Sequence, residues 1–172
     1  QVAVDEGLAH PILIGRTELI AARIEKLGLR LRLGDNCEGV NILSDPRFRD
    51  CWTEYYRLSC RQGISKELAQ EQMRSRTTLI GSMLVRRGEA DAMLCGTVGN
   101  FLDHLVYVRR VIGLRPGATS FAAMHLLILP DRQLFICDTH VNEDPSALQI
   151  AEITLLAAEQ VVRSGSTPSV AL

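Results

Sequence analysis

A chain of 172 residues is long enough for one domain, or two small lobes, around a buried core. Hydrophobic residues make up 47% of it, yet no apolar run approaches the roughly 18–20 residues of a membrane span, and Gln1–Glu6 lacks the basic start and apolar stretch of a secretory signal. With 19 basic and 20 acidic residues, a net charge of −1 and no basic tail, electrostatics gives no footing for nucleic acid.

Short apolar runs alternate with amphipathic stretches, the pattern of an α/β fold with a largely parallel sheet. Pro11–Gly15 reads as a buried strand ending at a glycine turn. Thr17 caps the helix that follows, whose Leu19, Ile20, Ile24 and Leu27 recur at helical spacing before Gly28 stops it. Val40–Leu43 is a second short strand. Asp45-Pro46 starts an aromatic-rich helix (Phe48, Trp52, Tyr55, Tyr56) that ends near Gly63. Ser65 begins another helix, and Thr77–Val85 forms a further one closed by Gly88.

Ala92–Gly96 is the next expected strand, leading through Thr97–Asn100 into an amphipathic helix over 101–112. Gly113, Pro116 and Gly117 then form a link. Beyond it, Ala123–Leu129 and Gln133–Cys137 flank Pro130-Asp131 as a hairpin, and Asp144-Pro145 opens the last helix. Ser169–Leu172 reads as the start of a strand, from which the fold is expected to continue past Leu172.

The five cysteines contain no Cys-x-x-Cys pair and fit neither a disulfide framework nor a zinc site, so they read as small buried hydrophobes of a reducing compartment. The four histidines show no metal-ligand spacing, His10 and His125 read as structural, and no nucleophile elbow or phosphate-binding loop is present.

Two segments carry candidate chemistry. At Cys95–Asn100, Gly96 and Gly99 let the backbone approach a ligand while Thr97 and Asn100 add side-chain donors. The same pattern also suits a plain tight turn. At Asp138–Pro145, Asp138 and Asn142 fit the task of fixing polar groups, and His140 can handle a proton near neutral pH. Turn ordering and helix capping account for that segment equally well. Arg86-Arg87 and Arg109-Arg110 suit either a phosphate or an ordinary solvated helix.

Three ordered blocks carry a more specific signal: Ala9–Gly15, Gly88–Gly96, and Asp138–Pro145 followed by Ile150–Ile153. They resemble the phosphate acetyl/butyryltransferase family, and the run Ala92–Gly99 with Asp138–Asn142 is most similar to the branch fused behind malic enzyme domains. The resemblance implies a three-layer α/β/α arrangement of two lobes with a ligand cleft between them. The first lobe falls at about residues 1–115 and an incomplete second at 116–172.

The resemblance places Val106 where the family has an arginine, and a second substrate-side arginine falls at about Ser59. Phosphoryl and acyl transfer need positive charge on the phosphate and the developing oxyanion, which valine cannot supply. The family's catalytic Ser-Arg-Gly segment lies beyond Leu172, so no catalytic residue is expected here.

The implied function is therefore regulatory: an acetyl-CoA-sensing, self-associating module of a cytoplasmic malic enzyme. NADP and Mg2+ or Mn2+ serve that enzyme's separate N-terminal domain. The expected ligand-binding residues are Gly96, Thr97, Gly99, Asn100, Asp138, His140 and Asn142. An active transferase moving an acyl group between CoA and phosphate is the alternative, and an assembly module with an empty cleft is the third.

Overall fold

The computed structural model describes residues 1–172. They divide into two compact units, Gln1–Gly113 and Leu114–Leu172, each with its own packing.

The first unit opens with a short helix α1 (Val2–Asp5), then β1 (Ile12–Ile14), α2 (Thr17–Lys26) and β2 (Glu38–Val40). β1 and β2 pair in parallel, with Ile12 opposite Glu38 and Ile14 opposite Val40. The helix between them makes the crossover that parallel pairing requires. Thr17 does not cap α2; Arg16 takes that position without a side-chain bond. The Thr17 methyl instead packs towards β2, where a Cβ on Gly39 would lie 3.2 Å from it. β2 lies two residues earlier than its apolar run suggested. The turn at Asn41–Asp45, closed by Asn41 O accepting from Ser44 and Asp45 amides, ends the ladder there.

Four helices complete this unit: α3 (Phe48–Ser59), α4 (Lys66–Ser75), α5 (Thr77–Arg86) and α6 (Phe101–Tyr107). A 3-10 turn at Cys60–Gln62 ends on Gly63 in the left-handed region (φ 86°), a conformation glycine adopts without penalty. Ser65 caps α4 by accepting from the Leu68 amide at 3.1 Å, as the sequence suggested. Helix α6 continues as a π-helical turn through Val108–Ile112 to Gly113.

Helix α5 organises the interior. Every residue from Thr78 to Leu84 is buried, so the helix is apolar nearly all round, as a central helix must be. Burying Leu79, Ile80, Met83 and Leu84 gives at most about 2 kcal/mol each. Tyr55, Met73 and Val111 close the same cluster. At Gly81 α5 lies close to Met93: an added Cβ would sit 2.5 Å from Met93 Sδ.

Ala92–Gly96 is not the strand its composition suggested. It makes no ladder, and Leu94 is 102% exposed. A strand satisfies its amides and carbonyls only through a neighbouring strand, and the sheet of this unit contains β1 and β2 alone.

In the second unit, β3 (Met124–Ile128) and β4 (Gln133–Cys137) form an antiparallel hairpin, and α7 (Ala147–Arg163) packs on β4. The hairpin closes at Leu129 and Arg132, whose N–H···O bond spans 2.9 Å. α7 begins at Ala147, three residues after Asp144, because Ser146 and Gln149 form a reciprocal capping box. Ser166–Leu172 joins no ladder, so the expected terminal strand is not formed. No helix is long and apolar enough to cross a membrane.

Candidate functional site

The Gly96–Asn100 turn carries four of the expected ligand-binding residues. Gly96 and Gly99 hold φ of 108° and 104°, which a residue with a Cβ rarely adopts. Asn100 begins α6, its Oδ1 accepting from the Leu102 amide at 3.0 Å. That side chain is committed to the helix. No backbone–backbone bond holds Ala92–Gly99, so the amides of Gly96, Thr97 and Gly99 have no backbone acceptor.

What secures the turn is a residue to which the sequence reading gave no role. His104, one turn into α6, places Nε2 2.8 Å from Val98 O and Nδ1 2.6 Å from Thr78 Oγ1 on α5. A signal for this existed. Side chains of a helix lean towards its N-terminus, so a residue four positions after the cap covers the turn before the helix.

In Asp138–Asn142 the polar groups are also spoken for. Asp138 Oδ1 accepts from the Ala123 amide at 2.8 Å, and Oδ2 accepts from the Asn142 amide at 2.9 Å. Asn142 Nδ2 donates to Asp138 Oδ2 and also to Phe121 O, the latter at 2.8 Å. Asp138 and Asn142 thus clamp the stretch after β4 to the stretch before β3. His140 sits in the left-handed region at φ 68°, and its ring meets that of His125 edge-on with centroids 6.0 Å apart. His140 is the exposed residue of this segment.

The cationic pair Arg86-Arg87 is drawn inward rather than held out for a phosphate. Arg86 binds Glu54 at 3.1 Å and donates to Val111 O at 2.9 Å, while Arg87 binds Glu89 at 2.6 Å. Beside them, Arg47 joins three carboxylates: Asp45 at 2.8 Å, Glu38 at 2.7 Å and Glu89 at 2.9 Å. Asp45 holds the Arg47 charge most strongly, with Glu38 and Glu89 adding to it, so its pKa lies above the usual arginine value. The Arg47 guanidinium in turn keeps Asp45 below the ordinary carboxylate range. Burial alone would raise Glu89, yet Arg87 and Arg47 together bring it below its ordinary value. Arg110 is committed as well, to Gln62 at 3.0 Å and to the Tyr55 hydroxyl at 3.1 Å. No group of three or more His, Cys, Asp or Glu side chains converges as a metal site would require.

The fold and these segments have counterparts. The family model for phosphate acetyl/butaryl transferase matches residues 1–172, the whole length. The chain belongs to that family. Among curated relatives, the NADP-dependent malic enzyme of Escherichia coli is 51% identical over 172 residues, which is 100% of this chain and 23% of that protein. The NADP-dependent malic enzyme of Haemophilus influenzae is 46% identical over the same span. The phosphate acetyltransferase of Nitratidesulfovibrio vulgaris is 30% identical over 174 residues, covering 99% of this chain and 24% of its own. This chain therefore spans about a quarter of the length of those relatives. The solved EutD phosphotransacetylase of Staphylococcus aureus superposes with a TM-score of 0.81 at 22% identity, covering 96% of this chain and 50% of that one. The α/β fold is thus that of a phosphotransacetylase, and the sequence matches the phosphotransacetylase-like segment of malic enzymes.

Proposed function

We propose that this phosphotransacetylase-like chain is a non-catalytic, acetyl-CoA-sensing module of a self-associating cytoplasmic malic enzyme. The observation that carries the reading is the 51% identity to a malic enzyme along the whole chain, against 30% for a phosphate acetyltransferase. Malate oxidation, with NADP and Mg2+ or Mn2+, falls in this reading to another domain of the parent chain.

The local chemistry agrees with sensing rather than transfer. Val106, at the position where the family resemblance has an arginine, is 44% exposed on α6. Arg86 and Arg87, the cations that invited a phosphate, are neutralised by Glu54 and Glu89. The ligand-facing groups in this reading are the Gly96–Gly99 amides and Thr97. Asn100, Asp138 and Asn142 shape their own segments rather than touch the ligand. An effector that binds two states of an enzyme unequally shifts its activity by the ratio of the two affinities.

Calorimetric titration of acetyl-CoA into the protein, with phosphate present and acetyl phosphate assayed afterwards, tests this. Saturable heat without turnover is expected. Sustained acetyl phosphate formation would make it a transferase, and absence of heat would leave an assembly module.

A further inference from the structure

Ala92–Gly99 makes no backbone–backbone hydrogen bond, Val98 is 83% exposed, and two glycines give the turn conformational freedom. Such a segment is expected to sample several conformations. Met93 packs on α5 at the start of the stretch, and at its end the His104 side chain opposes this freedom. A carbonyl oxygen can only accept, so the 2.8 Å contact with Val98 O puts a hydrogen on His104 Nε2. In the neutral ring Nδ1 then accepts, and the Thr78 hydroxyl donates to it across 2.6 Å. Thr78 is nearly buried on the first turn of α5, the most rigidly packed helix of the unit. The ring thus ties the mobile turn to the fixed core. Gly99 completes the fit, because a Cβ there would lie 3.2 Å from His104 Nε2.

We propose that His104 is the positioning residue of the Gly96–Asn100 turn, an imidazole strut that holds the turn on α5 in its ligand-competent conformation. The part concerning affinity rests on the sensing reading above; the strut itself does not. With both ring nitrogens engaged, His104 has no lone pair for chemistry. Its effect on a ligand passes through the fraction of molecules whose turn is correctly set. Losing one net hydrogen bond of this kind, about 1 kcal/mol, weakens the equilibrium favouring the held turn about fivefold, so the apparent Kd rises by up to about fivefold.

Three variants separate a strut from general packing: His104→Leu, His104→Asn and His104→Gln. The glutamine amide nitrogen falls where Nε2 stood and restores the bond to Val98 O. The asparagine nitrogen falls where Nδ1 stood and does not. Backbone 15N order parameters of Val98–Asn100 without ligand are expected to be lower in the leucine and asparagine variants and close to wild type in the glutamine variant. Acetyl-CoA affinity, by titration calorimetry, follows the same order. Unchanged order parameters in His104→Leu, or equal ones in the asparagine and glutamine variants, overturn the proposal. If the wild type binds no acetyl-CoA, the sensing reading fails, while the order-parameter comparison still decides the strut.

Discussion

Replacing Arg47 with methionine removes the cation at the centre of the charged cluster while keeping most of the side chain's apolar stem. The four side-chain hydrogen bonds of Arg47 cannot simply be summed, because each carboxylate responds to the loss differently. Glu38 is 43% exposed and rehydrates at little cost. Glu89 keeps Arg87 at 2.6 Å. Asp45, only 11% exposed, loses its cation and retains just the Arg47 backbone amide at 2.9 Å. The cost is therefore that of one poorly hydrated carboxylate plus a weakened second, about 2–3 kcal/mol.

The sign of the pH dependence follows from the same groups. Asp45 and Glu89 both have folded-state pKa values below their ordinary ones. Their contribution is present above the ordinary carboxylate range, about pH 4, and fades as pH falls through the lower folded values. Urea unfolding of wild type and Arg47→Met should show the full gap at pH 7 and a smaller one at about pH 3.5. Adding Asp45→Asn to Arg47→Met should recover part of the loss. A gap under about 1 kcal/mol at pH 7, or one equal at both pH values, refutes the reasoning.

Tyr55→Phe leaves Gln72 without its 2.6 Å donor and Arg110 Nη1 without its acceptor at full burial of the ring, and is expected to cost about 1–2 kcal/mol by urea unfolding. Asn142→Ala removes the bonds to Phe121 O and Asp138, so it should destabilise the hairpin unit by about 1–3 kcal/mol, seen as faster amide exchange in β3 and β4. A wild-type exchange rate there would refute the clamp. Glu152 accepts from the Thr119 hydroxyl and amide, both at 2.6 Å, which lower its carboxyl to about 2. This tie persists as pH falls through the ordinary glutamate range and is lost only near the folded value; a carboxyl NMR titration with a midpoint above about 4 would contradict it.

Much of the local structure was legible in the sequence. Gly28 and Gly63 end their segments, Ser65 caps α4, and a helix forms over the Thr77–Val85 stretch as α5. These signals act within a few residues, where backbone sterics and capping bonds are settled by neighbours in the chain. The Pro130-Asp131 hairpin belongs to the same class, and so does the family resemblance, which is a property of residue order.

The tertiary structure decided what depends on partners distant in sequence. Ala92–Gly96 has a strand's composition, but strandhood requires a second strand at its side. Asp45 was legible as a helix starter, and it does accept a nearby amide, yet its charge is held by Arg47 in company with Glu38 and Glu89. Asp138 and Asn142 looked like ligand groups because polar side chains after a strand often are. Only the folded chain brings Phe121 and Ala123 back to consume them. His104 shows the division most plainly. Its reach back to Val98 is set by helix geometry and was open to sequence reasoning, whereas the Thr78 hydroxyl that anchors its other nitrogen lies 26 residues away, where only packing can bring it.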